Sequence, residues 1–214
     1  MRDLLVYVAD NNMAEAVAGL LERPGVHYAV GCAPFTFDPR MDIKVATGQN
    51  DPGLYTRANL LMRPFASEYR RAVVIVDEEW EGSPGAEDIL LALRSHLDDA
   101  GWEGVLGLPL VVSPEADVWL WTRTDHTAKA LGWVDWNTLE KSLFEANWWN
   151  AEQHKPPKPK EAAEWALRKG VKRLPRSSRL YRQVSGSVSL SRCEDPALMT
   201  FLEQLRIWFP LGGS

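Results

Sequence analysis

Acidic residues follow three strand-like runs in this 214-residue chain, and gathered carboxylates are the first chemistry its sequence offers. Asp10 comes after the run Leu4 to Val8. Asp77-Glu78-Glu79 comes after Ala72 to Val76, and Glu115 with Asp117 comes after Val105 to Val112. Oxygen ligands of this kind hold a hard cation such as magnesium while it keeps several waters. A metal so held polarises a phosphodiester or activates water. On that reading Asp77 and Glu79 are the metal ligands, and Asp10 or Glu115 is an added ligand or base. The plainer reading is structural, because Asp and Glu are favoured at helix N-termini by capping and by the helix dipole.

The elements that must position these acids follow from periodicity. Leu4–Val8 and Ala72–Asp77 are short continuous apolar runs, the pattern of strands buried on both faces. Val105–Val112 is a third such strand, and a β-like run over Tyr28–Phe35 is a fourth. Helices are expected over Met13–Leu21 with Asn12 as N-cap, over Leu54–Phe65, and over Ala86–Ala100 closed by Gly101. Ser113-Pro114-Glu115 reads as the start of another helix, with serine capping and proline in first position. This alternation predicts an α/β, Rossmann-like, mostly parallel sheet flanked by helices, with sites outside the carboxyl ends of its strands. After Asp125 the β signals fade. Helices are expected over Thr138–Asn147, Pro159–Lys169, Arg176–Val184 and Pro196–Trp208. His154–Lys160 reads as an extended, polyproline-like connection. It divides an α/β body over residues 1–150 from a basic helical C-terminal extension over 151–214, packed on the body.

Charge is unevenly placed. Between Lys155 and Arg182 the chain carries a net +8, leaving −13 for the remainder of a protein whose total is −5. Lys172, Arg173, Arg176, Arg179 and Arg182 are candidates for a phosphate backbone, bound without reading sequence. The alternative is a solvated surface, or a complement to the acidic body or to an acidic partner. The ten tryptophans read chiefly as core and contact filling. Cys32 and Cys193 have no CxxC spacing, so neither a disulfide framework nor structural zinc is expected. His27, His96, His126 and His154 share no metal spacing. No GxSxG, GxxxxGK[ST] or GxGxxG motif occurs, so hydrolase, P-loop and dinucleotide readings have no direct support. The chain enters a strand-like run directly and has no long apolar segment, which predicts a cytoplasmic protein without a membrane span.

Several segments, in order, carry a family resemblance. They are Asp51-Pro-Gly53, Val73–Glu79 with Trp80-Glu-Gly82, Pro114–Trp121 and Gly132-Trp133. Pro156–Lys160, Pro175–Arg182, Ser189–Pro196 and Trp208-Phe-Pro210 continue the series. Together they resemble Toprim-like proteins of unknown function encoded in prokaryotic defence islands, most of all a small subunit of methylation-associated anti-phage systems. The resemblance implies a compact Toprim-like sheet and a place beside other defence subunits, an ATPase or a sensor among them. In catalytic Toprim domains a glutamate follows the first strand and an Asp-x-Asp pair follows a later one, together binding magnesium. Asp77 and Glu79 stand at the later pair, whereas Ala9 or Asp10 stands where the glutamate is expected. Asp10 is shorter by about one methylene, and catalytic geometry often fails on a displacement of about 1 Å. The expectation is therefore a non-catalytic, partner-binding subunit. A magnesium-dependent nuclease or nucleic-acid-binding subunit is the alternative, and a metabolic enzyme on a small α/β fold is a third.

Overall fold

A computed structural model of the chain describes residues 1–190 and 193–212. Ser191 and Arg192, within the Ser189–Pro196 motif, lie outside the described residues. Four parallel strands form one sheet in the order β2-β1-β3-β4, with β1 Arg2–Val8, β2 Ile43–Val45, β3 Tyr69–Asp77 and β4 Gly107–Val112. The register sets Val8 against Ile75 and Asp77 against Val112, so the carboxyl ends of β1, β3 and β4 share one edge. This is the α/β, Rossmann-like layout that the alternation of apolar runs implies.

β1, β3 and β4 bury both faces, and successive residues serve different cores. Leu4, Val6 and Val8, with Val73, Ile75, Leu108 and Leu110, face one side. There α1 (Asn11–Leu21) and α10 (Pro196–Trp208) cover them through Met13, Val17, Phe201, Leu202 and Leu205. Leu5, Tyr7, Ala72, Val74 and Val76 face the other side, under α4 (Asn50–Met62) and α5 (Ala86–Ala100). In α5 the buried set Ile89, Leu93, Leu97 and Ala100 recurs at helical spacing, and Gly101 ends the helix at φ 109°. Pro196 opens α10 beneath the side-chain cap of Asp195.

A third core lies away from the sheet. It gathers α6 (Asp125–Ala130), α7 (Trp136–Glu145), α8 (Pro159–Lys169) and α9 (Ser178–Ser185) around Trp121, Trp136, Trp149, Leu167 and Tyr181. This core crosses the boundary read at residue 150, and α10 returns beyond it to the sheet. The extension therefore completes two cores instead of resting on a finished body. The connection before α8 also packs, with Pro156 and Pro159 buried and Lys155 paired to Asp195 at 3.2 Å.

Three local expectations are corrected. Asp10, not Asn12, caps α1, its carboxylate accepting from the Met13 N–H at 2.8 Å. Tyr28–Phe35 is no strand. Gly25 and Gly31, both at positive φ, bracket the short helix α2 (Val26–Val30), and Phe35 stacks on Phe209 at 4.5 Å. The second strand is the three-residue β2, too brief to show a period. It follows the one-turn helix α3 (Pro39–Asp42). Finally, Ser113-Pro114 does not start an α-helix. A 3-10 turn over Ala116–Leu120 follows Glu115 instead.

The first helix and α9 meet at Gly19. A Cβ there would lie 2.3 Å from the Arg182 carbonyl oxygen and 2.3 Å from Ser185 Oγ. Backbone cannot yield as a flexible side-chain tip can. Gly19→Ala is expected to cost about 2–3 kcal/mol, the range of overpacked cores, read as a lower urea midpoint at unchanged slope.

Candidate functional site

The sheet edge assembles Asp77 with two other aspartates. Asp77 Oδ1 accepts from the Ala116 N–H at 2.7 Å, and the Asp77 N–H donates to Asp51 Oδ1 at 2.7 Å. Burial above all, and next the Asp51 charge, pushes the Asp77 carboxyl up to about 9, with Asp10 and Glu115 adding to the rise. Burial raises Asp51 as well, with Asp10 contributing. Glu115 is pushed up to about 7, by burial first and then by Asp117, while its Oε1 accepts from the Lys160 N–H at 3.3 Å. Asp77 thus feels the charges of Asp51, Asp10 and Glu115 at the end of the sheet.

Asp51 was not among the candidate acids. Its place in the Asp51-Pro-Gly53 motif, opening α4 after β2, was the available signal. Glu79 departs from the group. It is exposed, and its backbone N–H donates to the Pro114 carbonyl at 3.0 Å beside the loop of Trp80 and Ser83.

A hard cation needs ionised oxygens converging on one point. Asp10, Asp51 and Asp77 each commit an oxygen to a backbone N–H, and burial favours the neutral form of Asp77. No group of three or more His, Cys, Asp or Glu side chains among the described residues could hold a metal ion.

The cations of the C-terminal segment divide into two sets. Asp117, 4% exposed, accepts from Arg176 Nη2 at 2.7 and 2.9 Å and from the Tyr181 hydroxyl at 2.7 Å. Burial raises the Tyr181 hydroxyl pKa, and the Asp117 charge raises it further. Arg182 reaches Glu15 at 3.0 Å and also Glu22, tying α9 to α1. Lys155 and the Trp119 indole N–H both bond Asp195. Arg176 and Arg182 of the basic set therefore complement acids of the body. Lys172, Arg173 and Arg179 stay exposed and make no ion pair among the described residues.

A cleft of about 830 Å³ opens beside the end of β4, at Ser113 and Pro114. Val17, Leu20, Trp119, Trp121 and Phe201 form apolar walls, and the Lys155–Asp195 pair borders it. Its lining comes from segments far apart in the chain, so no local pattern announces it.

The fold and site define an α/β domain with a four-stranded, all-parallel, Rossmann-like sheet and an acidic carboxyl edge. Comparison with known protein families, with curated proteins and with solved structures found no match to this chain. Among the described residues, no helix is long and apolar enough to cross a membrane.

Proposed function

We propose that this chain is a non-catalytic, partner-binding subunit of a prokaryotic anti-phage defence system, with a Toprim-like body as its scaffold. The observation that carries the non-catalytic part is the use made of the sheet-edge acids. Asp77, central to any magnesium chemistry here, bonds the Ala116 N–H and is held toward its neutral form. Of its neighbours, Asp10 likewise ties down the start of α1, and Asp51 ties down the backbone at the end of β3. The ordered motifs support the defence assignment. Charge placement supports docking: α8 begins beside Glu115 and ends at Arg168 and Lys169, about 16 Å away at 1.5 Å per residue over its 11 residues. An acidic edge and a basic end so separated offer a partner subunit, such as an ATPase, two complementary contacts.

Co-expression of the tagged chain with the products of neighbouring genes, followed by size exclusion, tests this reading. A stoichiometric complex is expected. Magnesium calorimetry on the isolated chain is expected to show no binding heat. Binding that disappears in the Asp77→Ala, Glu79→Ala double variant would overturn the reading in favour of phosphodiester chemistry.

A further inference from the structure

The last turn of α8 and the loop after it place Arg168, Lys169, Lys172 and Arg173 close together, and Arg179 follows at the start of α9. Two backbone bonds hold this loop in place. The Lys172 N–H donates to the Gly132 carbonyl at 3.1 Å, and the Leu174 N–H donates to the Leu167 carbonyl at 3.2 Å. The approach at Gly132 is close enough that a Cβ there would lie 2.1 Å from the Lys172 carbonyl oxygen.

Next to Gly132 stands Trp133, half-buried, its indole N–H donating to the Ala166 carbonyl at 3.0 Å. The Trp133 ring stacks on the half-buried Trp165 with centroids 6.1 Å apart and planes 21° from parallel. Arg168 and Lys169 lie three and four positions beyond Trp165, so they share its helix face. An aromatic pair is thus bordered by cations from α8 on one side and from the pinned loop on the other.

These cations lack the partners that occupy Arg176 and Arg182. Among the described residues Arg168 pairs only with Glu164, at 3.8 Å in an exposed pair, a contact of little worth in water. Lys169, Lys172, Arg173 and Arg179 make no ion pair among the described residues. A cationic surface with partly exposed indoles is the arrangement that binds phosphates while bases stack on rings. Duplex DNA keeps its bases stacked inward and cannot use the rings. A membrane surface would call for a broad apolar face. Here exposed Val171 (77%) and Leu174 (39%) are the large apolar side chains of the loop.

The geometry points to this face, Trp133 and Trp165 with Arg168, Lys169, Lys172 and Arg173, as a binding site for single-stranded nucleic acid. It gives the basic end of α8, also proposed above as a partner contact, a second ligand, and it needs no metal.

Fluorescence anisotropy of the full chain with labelled oligo-dT and oligo-rU of about 20 nucleotides tests it, titrated between about 50 and 200 mM KCl. Binding is expected to weaken with salt at a slope of about −3, as four or five phosphate contacts at roughly −0.7 each require. The Lys172→Glu, Arg173→Glu variant, which changes only exposed side chains, should bind about tenfold or more weakly and show a shallower slope. Trp165→Leu should lose affinity while Trp165→Phe keeps most of it, with thermal melts confirming that each variant folds. Arg57→Glu, on α4 across the sheet, should bind as the unaltered chain does. The proposal is overturned by absence of binding at the lowest salt, or by binding that ignores the charge reversal. A preference for duplex, or capture by phosphatidylserine vesicles without any oligonucleotide binding, would overturn it equally.

Discussion

Asp117→Ala is expected to destabilise the fold by about 3–5 kcal/mol, the cost of breaking a buried ion pair by removing one partner. Asp117 receives Arg176 and the Tyr181 hydroxyl together, and all three sit between the 3-10 turn after β4 and the start of α9. Without the carboxylate, Arg176 keeps its charge, because guanidinium does not deprotonate in this range. It must stay buried and unpaired or swing out and leave a void. Tyr181, 1% exposed, has its hydroxyl hydrogen left without the Asp117 acceptor. Urea denaturation would measure the loss, and a cycle with Arg176→Met would apportion it. The double variant should lose less than the two single losses added together, because each single change strands the other's partner. A loss below about 1 kcal/mol for Asp117→Ala would show the pair to be solvated. It would return Arg176 to the cations open to an anionic ligand.

The second large effect is a reversal with pH at Asp77. Its folded pKa, about 9, lies far above that of an unfolded aspartate near 3.9. The folded state therefore holds the proton more tightly. The associated stability is fully present below about pH 4 and is lost as pH rises through about 9. Asp51 and Glu115 are raised too, so they slope the same way over their own ranges. Asp77→Asn keeps an oxygen for the Ala116 N–H and cannot ionise. It should match the unaltered chain near pH 4 and exceed it by about 2–4 kcal/mol at pH 8, at up to about 1.4 kcal/mol per pH unit. Melts across this range would show the two curves separating. Parallel curves would mean that Asp77 titrates as an exposed acid does. A rise in stability on adding magnesium at pH 8, present in the unaltered chain and absent from Asp77→Asn, would instead make the edge a cation site.

Much of the secondary structure was legible in the residues alone. The apolar runs before Asp77 and Val112 are strands, and α5, α8 and α10 begin and end where their caps and prolines stand. Such features depend on neighbours within a turn or two, which any stretch of sequence carries with it. The α/β class followed, as did an acidic edge holding Asp10, Asp77 and Glu115. Short elements were not legible. The three residues of β2 become a strand by pairing with β1, and the six of α6 by packing beneath α9 and Trp121.

Tertiary structure alone decided which charges meet. It brought Asp51 to Asp77 from 26 positions away and left Glu79 in solvent. Arg176 closed onto Asp117 across 59 positions and Arg182 onto Glu15 across 167, while Lys172 and Arg173 stayed free of acids among the described residues. In sequence these four cations look alike. Their difference arises because ion pairs are short-ranged and are set by helix packing. That packing follows from burying apolar faces, and the charged residues themselves carry no sign of it.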